Sequence, residues 1–572
     1  MITNNIKTPW YKYYGKMRQH LDYPNHSLYR QLYETIKKHP NLTALNYYGN
    51  KITYKQLCDQ IDITANALYK QGIRTNDVVT ICMPNTPEAV YAFYALNKLG
   101  AIANMIHPLS AENEIKYYLN ISESKMVIAI DLAWPKINTV INDSMVKKTV
   151  LVSVKTSMPL HLKLGYTLTK GRKIKHYPTT ESLLYWSELI NSKDKTITDI
   201  EADNDGSAYA AILYSGGTTG YPKGIILSNL NFNALALQGI EACGNLELGD
   251  KLLSIMPIFH GFGLGICIHT ALCFGGEAVI LPQFSAKTFD KLISKYQPNI
   301  IAGVPTLYEA MMMNQKIAKM DLSCIKCAIS GGDSLSVSLK RKVDAFFKDH
   351  NANVEIREGY GLTECVTGSC LTPIDYYREG SIGIPYPDTY YKIVKPHTET
   401  EAAYNEEGEI VISGPTVMVG YLKEEKETNQ TIRKHDDGLL WLHTGDLGYM
   451  DEDGFVYFKQ RLKRMIVSSG YNVYPQYIEN IIDSHPDVLM STVIGVDHPY
   501  KKQVAKAFVV PNLNIAPSEE LKKEIYALCE KNLAKYSIPY EIEFREALPK
   551  TLVGKVAYTV LAEEERNKQT TS

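Results

Sequence analysis

The sequence predicts an α/β protein with a large N-terminal domain of doubly wound parallel sheets and a small α+β C-terminal domain. Short apolar runs alternate with helical patterns through residue 372, as expected for strands connected by helices. From about 380 to 460 the chain becomes β-rich, with glycine and proline turns. The composition changes again after Arg461, so we predict domains at 1–461 and 462–572.

The composition is that of an ordinary globular protein. The 572 residues and their 45% hydrophobic content suffice for several domains with a large core. The formal net charge of −1 gives no overall attraction to nucleic acid, so none is predicted as a partner. Ten scattered cysteines and the absence of a secretory signal lead us to expect reduced thiols in a cytoplasmic protein.

One charge-free stretch, residues 252–276, is long enough to cross a bilayer. Pro257 and five glycines divide it. We therefore predict a buried strand, loop and short helix rather than a membrane span.

The elements of the first half can be assigned from periodicity. Helical patterns cover 28–38, 54–71 and 89–99, and strand patterns cover 78–83, 101–107 and 126–131. Residues 44–54 alternate as a hairpin that turns at Gly49-Asn50.

The second half continues this alternation. Strands are predicted at 208–214, 251–256, 277–281, 299–303 and 326–329, and helices at 228–243, 265–273, 286–296, 306–314 and 336–349. In the C-terminal domain helices are predicted at 477–483 and 518–534, and strands at 490–496 and 504–510. Most of the polar motifs follow strands, where an open parallel sheet binds ligands.

The most informative stretch is the segment 214–224, with the sequence YSGGTTGYPKG. Its glycines allow backbone N–H groups to approach an anion closely, and its hydroxyls and lysine add donors and charge. Placed between a predicted strand and a predicted helix, it is expected to bind phosphate. The candidate residues are Ser215, Gly216, Gly217, Thr218, Thr219, Gly220 and Lys223. Because Ser or Thr does not follow Lys223, this is not the P-loop of common nucleotide hydrolases.

The segment instead resembles the signature of the adenylate-forming superfamily, which includes acyl- and aryl-CoA synthetases, firefly luciferase and the adenylation domains of peptide synthetases. Further stretches match that superfamily in content and order: PIFHGFG at 257–263, EGYGLTEC at 358–365, TGD at 444–446, RLK at 461–463 with SGYNVYP at 469–475, and PKTLVGK at 549–555. The matches run over nearly the whole chain, which is identified as a member of the superfamily.

The resemblance implies a site for ATP. The residues that it places there are Gly332, Asp333, Gly359, Tyr360 and Gly361 for adenine, Asp446 and Arg461 for ribose, and Thr363 for the α-phosphate. Thr363 and Glu364 are also counted among the catalytic residues. The Glu364 carboxylate is a hard oxygen ligand that suits the Mg²⁺ carried by ATP.

Lys555 is the candidate catalytic residue for adenylate formation and is also expected to contact ATP. Attack of a carboxylate on a polyphosphate builds negative charge that a positioned ammonium and a metal ion stabilise. Because Lys555 is far in sequence from the other ATP motifs, a second domain must close over the site to deliver it. The resemblance implies that this mobile domain then turns about a hinge at Lys463, and that Gly470 borders the channel for CoA.

The acyl pocket is less well defined. The resemblance implies that His260 lies beside the substrate carboxylate as a positioning group; a core histidine is the alternative. We expect Phe262, Gly303 and Val304 beside it, and the glycine-rich apolar stretch 261–267 suggests room for an alkyl chain. We favour a medium- or long-chain fatty acid; an aryl, branched or sterol-derived acid is the alternative.

The acceptor is expected to be a separate molecule, because the chain ends soon after Lys555. Free CoA is favoured, and a carrier protein is the alternative. Two other classes share the motifs: a luciferase-like oxygenase, which would need oxygen, and a non-catalytic binding protein, which should lack Lys555 or Glu364. Both of these residues are present, which favours a working ligase.

The segment 158–175 is apolar and basic at once, with no Asp or Glu. It has two interpretations: a solvated surface excursion with a half-buried apolar face, or a patch that makes peripheral contact with anionic lipid.

Overall fold

The computed structural model describes residues 6–191, 200–215, 222–396, 398–464, 466–468, 471–551 and 554–571. Within them the chain forms four sheets, called sheets I to IV here, with helices packed between and around them. The α-helices are Leu28–Lys38, Tyr54–Lys70, Pro87–Lys98, Glu112–Ile121, Trp134–Val140, Leu160–Leu168, Trp186–Ile190, Asn229–Cys243, Ala271–Cys273, Phe289–Tyr296, Pro305–Met312, Val337–Asp349, Glu425–Thr431, Pro475–Asp483, Glu519–Asn532 and Tyr558–Thr571.

Over the described residues, sheet I contains six strands that pair in parallel. Two further strands are added at one edge by antiparallel pairing. Its order is Gly420–Tyr421, Lys223–Ser228, Tyr209–Ser215, Ile102–Met105, Val78–Cys82, Met126–Ile130, Lys148–Val152 and Leu183–Tyr185. The parallel strands are almost entirely buried, as expected for a sheet with both faces covered.

Sheet II is the second parallel sheet. Its order, again over the described residues, is Ile384–Pro385, Cys370–Leu371, Ile356–Tyr360, Cys327–Gly331, Ile300–Gly303, Lys251–Ser254, Glu277–Ile280, Thr43–Tyr47 and Asn50–Thr53. The first two strands and the last are antiparallel to their neighbours. The predicted class, a large α/β domain with doubly wound parallel sheets, is therefore confirmed.

The helices between the sheets follow from sequence signals. Helix Pro87–Lys98 is buried along its whole length, consistent with its nearly continuous apolar sequence. Helix Asn229–Cys243 begins with Ser228 as N-cap, because the Ser228 and Asn231 side chains each accept a hydrogen bond from the other residue's backbone N–H. It ends at Gly244, whose φ of 73° is readily adopted by glycine.

Sheets III and IV are smaller. Sheet III contains Tyr390–Val394, Gly408–Ser413, Leu440–Met450, Ile432–Lys434 and Val456–Arg461, and it corresponds to the predicted β-rich part. Sheet IV contains Tyr471–Val473, Ile466–Ser468, Lys502–Pro511, Val488–His498 and Glu541–Phe544, with helices Pro475–Asp483 and Glu519–Asn532 on its core. The chain passes from sheet III to sheet IV between Arg461 and Ile466, close to the predicted boundary.

Three local predictions differ from the structure or are sharpened by it. The phosphate segment was predicted to lead directly into a helix, but Lys223–Ser228 intervenes as a strand, so the segment joins two antiparallel strands. The predicted helix at 265–273 begins earlier, as a π-helix over Phe262–Thr270. No helix among the described residues is both long and apolar enough to cross a membrane.

Candidate active site

The phosphate segment lies at the carboxyl edge of sheet I. Strand Tyr209–Ser215 ends there, and Ser215 pairs with Lys223 at the start of the returning strand. The predicted phosphate-binding residues Gly216, Gly217, Thr218, Thr219 and Gly220 lie outside the described residues. Antiparallel pairing therefore fixes both ends of this segment. The next helix begins only at Asn229, after the returning strand.

Lys223 is part of a polar chain that reaches Glu364. Its ammonium forms an ion pair with Glu427 and lies 4.9 Å from the centre of the Tyr421 ring. The Tyr421 hydroxyl in turn donates a hydrogen bond to Glu364 Oε1 at 3.0 Å. The candidate phosphate lysine and the candidate metal ligand are thus connected through Tyr421.

Glu364 lies on a tightly constrained turn, Thr363–Cys365. Val366 and Thr367, which follow it, both adopt positive φ, of 52° and 74°. Non-glycine residues in this region are strained, and such strain is concentrated at functional sites. Gly361 is needed here because a Cβ atom would lie 2.4 Å from the Thr367 carbonyl oxygen.

Tyr360, Asp446 and Arg461 form the candidate ribose and adenine group. Asp446 and Arg461 are opposite each other in adjacent strands of sheet III, with Arg461 Nε 3.4 Å from Asp446 Oδ1. The Tyr360 hydroxyl donates to Asp446 Oδ2 at 2.7 Å. Burial raises the pKa of Asp446 to about 6, although Arg461 and Tyr360 oppose the shift.

This group has acceptor capacity to spare for a ligand. Among the described residues, Asp446 Oδ1 is buried and accepts no hydrogen bond. Arg461 compensates the charge of this oxygen at 3.4 Å without completing a hydrogen bond, so a sugar hydroxyl that donated to it would be bound favourably. The geometry fits the ribose role that the resemblance implies.

Lys555 lies over the end of the strand Cys327–Gly331. A Cβ atom on Gly332 would be 3.4 Å from Lys555 Cε, so the side chain passes directly across this glycine. Gly332 has a φ of 81°, which further favours glycine. Burial lowers the pKa of Lys555, and the Asp333 carboxylate is the largest influence in the opposite direction.

Two hydrogen bonds hold the Lys555 loop on the N-terminal domain. Thr306 Oγ1 donates to the Gly554 carbonyl at 2.9 Å, and the Val556 N–H donates to Asp333 Oδ2 at 3.3 Å. Burial raises the pKa of Asp333, and the nearby Lys555 ammonium opposes that shift. The structure therefore shows the arrangement in which Lys555 reaches the ATP motifs.

His260 is a neutral imidazole within electrostatic reach of Lys555. Burial, with a smaller contribution from Lys555, lowers the pKa of His260 to about 3. The Phe262 N–H donates to His260 Nδ1 at 3.2 Å, which leaves Nε2 to carry the ring proton. A neutral donor at this position can orient a carboxylate, and it is a poor proton acceptor because its pKa is so low.

An apolar cavity opens next to the nucleotide motifs. At one end it is lined by Gly331, Gly332, Gly359 and Tyr360. It then runs between helix Asn229–Cys243 and sheet II, where its walls are Leu235, Gly239, Cys243, Leu246, Leu252, Phe262, Ile266, Thr270, Phe274, Ile300, Ala302, Ile329, Thr367, Gly368, Cys370 and Tyr386. The polar groups on this wall are few, as expected for a pocket that binds an apolar ligand.

The glycines near His260 serve close packing more than the cavity. A Cβ atom on Gly263 would lie 2.0 Å from the Pro257 carbonyl oxygen, and one on Gly261 would lie 2.3 Å from Thr367 Oγ1. The inference that these glycines provide room for an alkyl chain is therefore only partly right. Phe262 and Ile266 of the π-helix lie on the cavity wall instead.

The remaining predicted site residues are distributed as follows. Gly303 packs against Leu307, where a Cβ atom would lie 2.4 Å from Leu307 Cδ2. Val304 is buried beside Gly332 and Gly554 rather than on the described cavity wall. Lys463 lies in the short helical turn Leu462–Arg464 between the domains, and Gly470 lies outside the described residues.

Sequence reasoning missed several contributors to the site. Tyr421 and Glu427 carry no motif signal, because a lone tyrosine or glutamate is usually an ordinary surface or core residue. Thr306 follows the motif Gly303-Val304-Pro305 and could have been suspected as a helix-start hydroxyl. The deep cavity residues Leu246, Leu252 and Phe274 have the same composition as any core, so nothing in the sequence distinguishes them.

Comparison with known proteins gives the same assignment. Residues 32–422 match the family model of the AMP-binding enzymes, and residues 477–555 match that of their C-terminal domain. A long-chain-fatty-acid–CoA ligase of Bacillus subtilis (strain 168) is 33% identical, over 97% of this chain and 98% of the relative. A probable 4-coumarate–CoA ligase 1 of Dictyostelium discoideum is 30% identical, over 96% and 97%.

A solved structure agrees in fold. The ATP-bound MatB of Rhodopseudomonas palustris superposes with a TM-score of 0.80 at 26% identity, covering 94% of this chain and 99% of that one. The chain belongs to the family of AMP-binding, adenylate-forming enzymes. Within that family it is an acyl-CoA ligase, an acid–thiol ligase that uses ATP and CoA.

Proposed function

We propose that the protein activates a medium- or long-chain fatty acid and transfers it to CoA. The observation that carries this proposal is the apolar cavity that opens beside Gly332 and Tyr360 and continues deep between helix Asn229–Cys243 and sheet II. A nearly uncharged cavity suits an alkyl chain, and Gly332 at its mouth lies beside Lys555, whose charge also acts on His260. The B. subtilis relative, named for long-chain fatty acids, supports the same acid.

In the first half-reaction the fatty acid carboxylate attacks the α-phosphorus of ATP. A new P–O bond forms to the acid, the bond to the β-phosphate oxygen breaks, and acyl-AMP and pyrophosphate result. The Lys555 ammonium is positioned to stabilise the charge on the α-phosphoryl oxygens and the leaving group. His260 Nε2–H is suited to hold the carboxylate in line.

In the second half-reaction the CoA thiol loses its proton to solvent and the thiolate attacks the acyl carbon. A C–S bond forms, the bond from the acyl carbon to the phosphate oxygen breaks, and AMP leaves with that oxygen. Lys555 is docked beside Gly332 in the present arrangement, and we propose that the C-terminal domain moves before the thiol approaches. Lys463 lies in the connection between sheets III and IV and is our proposed hinge. Gly470 is proposed to border the path of the pantetheine arm.

Magnesium is proposed to enter with ATP. Within the described residues no group of three or more His, Cys, Asp or Glu side chains could hold a metal by itself. Glu364 offers one carboxylate next to the phosphate segment, which fits an ion whose other ligands are phosphate oxygens and water. When bound, the ion would neutralise charge on the polyphosphate.

An aryl acid is the second candidate, favoured by the similarity to the Dictyostelium 4-coumarate–CoA ligase. The test is ATP- and acid-dependent pyrophosphate release across fatty, aryl and branched acids, with and without CoA. A maximum among fatty acids that needs CoA for turnover supports the proposal. A maximum among aryl acids would contradict it, and adenylation without CoA-dependent turnover would point to a carrier protein as acceptor.

A further inference from the structure

Among the strongly exposed leucines of the N-terminal domain, five lie in the segment 109–168. Their exposed fractions are 65% for Leu109, 58% for Leu132, 74% for Leu160, 57% for Leu164 and 59% for Leu168. Single exposed leucines are normal, but a contiguous group of them marks an interaction surface. We call this group the leucine rim.

The rim residues lie along one edge of sheet I. Leu109 follows strand Ile102–Met105, Leu132 follows Met126–Ile130, and helix Leu160–Leu168 follows Lys148–Val152. These strands are parallel within the sheet, so their carboxyl ends meet at the same edge. Lys136, in the helix that follows Leu132, connects the Leu132 segment to the Leu109 segment, because its ammonium donates to the carbonyls of Leu109 and Ser110 at 3.1 and 2.9 Å.

Helix Leu160–Leu168 contributes most of the rim and contains no buried residue. Leu160, Leu164 and Leu168 are four residues apart and therefore share one face. On the opposite side Leu162 is half-buried, and the Tyr166 ring packs against the main core. The helix is thus attached by one face and presents an unpartnered leucine face to solvent.

The charge around this helix is one-sided. Residues 151–180 contain six Lys or Arg residues and no Asp or Glu. Lys163, Arg172 and Lys175 are exposed. Asp131, next to Leu132, is half-buried, and burial raises its pKa; Glu112, three residues from Leu109, is an exposed carboxylate at the other end of the rim. An exposed leucine face with basic neighbours matches an anionic lipid surface, in which apolar chains lie beneath negative headgroups.

We propose that the leucine rim inserts into the headgroup region of a bilayer that contains anionic lipid. Helix Leu160–Leu168 would bind the bilayer away from the phosphate segment, because four strand spacings, or about 19 Å, separate strand Tyr209–Ser215 from strand Lys148–Val152 along the edge. The other end of the rim approaches the acyl site. Leu109 is two residues from His107, whose ring centre lies 4.3 Å from that of Phe259, the neighbour of His260.

This assignment does not depend on which acid the enzyme activates, and its test needs no turnover. The full-length protein is co-sedimented with vesicles of equimolar phosphatidylglycerol and phosphatidylcholine, and with vesicles of phosphatidylcholine alone. We expect at least about tenfold stronger partitioning onto the anionic vesicles, lost at high salt. The variant L160Q/L164Q/L168Q should lower that partitioning at least about tenfold.

The matched control is L248Q/L440Q/L513Q, which changes three leucines of similar exposure (57%, 58% and 52%) outside the rim. It should bind vesicles like the unmodified protein. The variant L109Q/L132Q tests the rim without touching the helix and should also weaken binding. R172E/K175E should weaken binding to anionic vesicles only. The far-ultraviolet circular dichroism spectrum should be unchanged in all of them, which shows that each variant is folded.

Three outcomes would overturn the proposal. The unmodified protein could fail to partition onto the anionic vesicles, or the triple rim variant could bind them as well as the control. A dimer in sedimentation experiments that the rim substitutions dissolve, with vesicle binding unaffected, would make the rim an interface between two copies of the chain.

Discussion

The proposed nucleotide half and the proposed acyl half of the site are built in different ways. The nucleotide half consists of polar side chains at strand ends, connected in pairs such as Tyr360–Asp446 and Tyr421–Glu364. The acyl half is a cavity whose apolar walls come from helix Asn229–Cys243, the π-helix and sheet II. A polyphosphate demands particular donors at particular places, whereas an alkyl chain demands only space, so the two halves should respond differently to substitution.

The largest effect is expected for Lys555→Ala, which should damage the nucleotide half alone. Loss of the ammonium removes stabilisation of the developing charge, and removal of one such donor typically costs about 10²- to 10³-fold in rate. Adenylate formation, measured as pyrophosphate release, should fall by that amount. Transfer to CoA from supplied acyl-AMP should be retained. Equal losses in both half-reactions would remove Lys555 from the first-step role.

The converse substitution, Gly239→Leu, should damage the acyl half alone. A Cβ atom on Gly239 would lie 3.5 Å from Thr270 Cγ2, so a methyl fits there, while a leucine side chain must occupy the cavity. We expect kcat/KM to fall about 100-fold for acids long enough to reach this point and to be unchanged for short acids.

Gly239→Ala is the matched control, because it changes helix propensity in the same direction but adds only one carbon to the cavity. It should shift the preferred chain length by little. A uniform loss across all acids in Gly239→Leu would contradict the assignment of this cavity to the acyl chain.

The same contrast explains how much could be predicted from the sequence. Lys555, Glu364, Asp446 and Tyr360 stand in motifs whose order identifies the fold and the chemistry together. Phe274, by contrast, is one apolar residue among many, and it becomes a cavity wall only through the packing of distant elements. The strand Lys223–Ser228 was missed because its residues Gly224–Ser228 continue directly into a capped helix, which concealed a short antiparallel partner.

A pH effect of intermediate size is expected from the domain interface, which belongs to neither half. A polar cavity between the domains is lined by Glu309 of the N-terminal domain and by Glu479 and Asp483 of the C-terminal domain, among others. Burial raises the pKa of Glu309 to about 7 and that of Asp483 well above its usual range.

Other charged groups face this pair from the surrounding elements. Lys342 and Lys550 lower the pKa of Glu309, and Asp333 raises it. Glu479 raises the pKa of Asp483. The Glu479 carboxylate itself forms an ion pair with the Arg464 guanidinium at 2.7 Å. The Ser491 hydroxyl donates to Asp483 Oδ1 at 2.7 Å.

The sign of the pH effect follows from these directions. A carboxyl whose pKa is raised in the docked arrangement holds its proton more tightly there, so docking is favoured at low pH and weakens as pH rises through about 7. Single-turnover adenylation should therefore fall about tenfold between pH 6 and pH 8.5, relative to CoA transfer. Glu309→Gln should flatten most of this fall. A profile unchanged by Glu309→Gln would assign the fall to Asp483 or to Lys555, whose pKa is lowered.

The smallest effect is expected for Tyr421→Phe, which tests whether the pairs of the nucleotide half act together. The change removes only the hydroxyl that donates to Glu364 Oε1 and keeps the ring beside Lys223. One neutral donor to a carboxylate contributes about 1 to 2 kcal/mol, but water can replace it at this partly open site. We expect a three- to tenfold rise in the Mg²⁺ concentration needed for half-maximal pyrophosphate release, with the chain-length preference unchanged. A shift in chain-length preference would instead show that the two halves are coupled through the turn that carries Glu364.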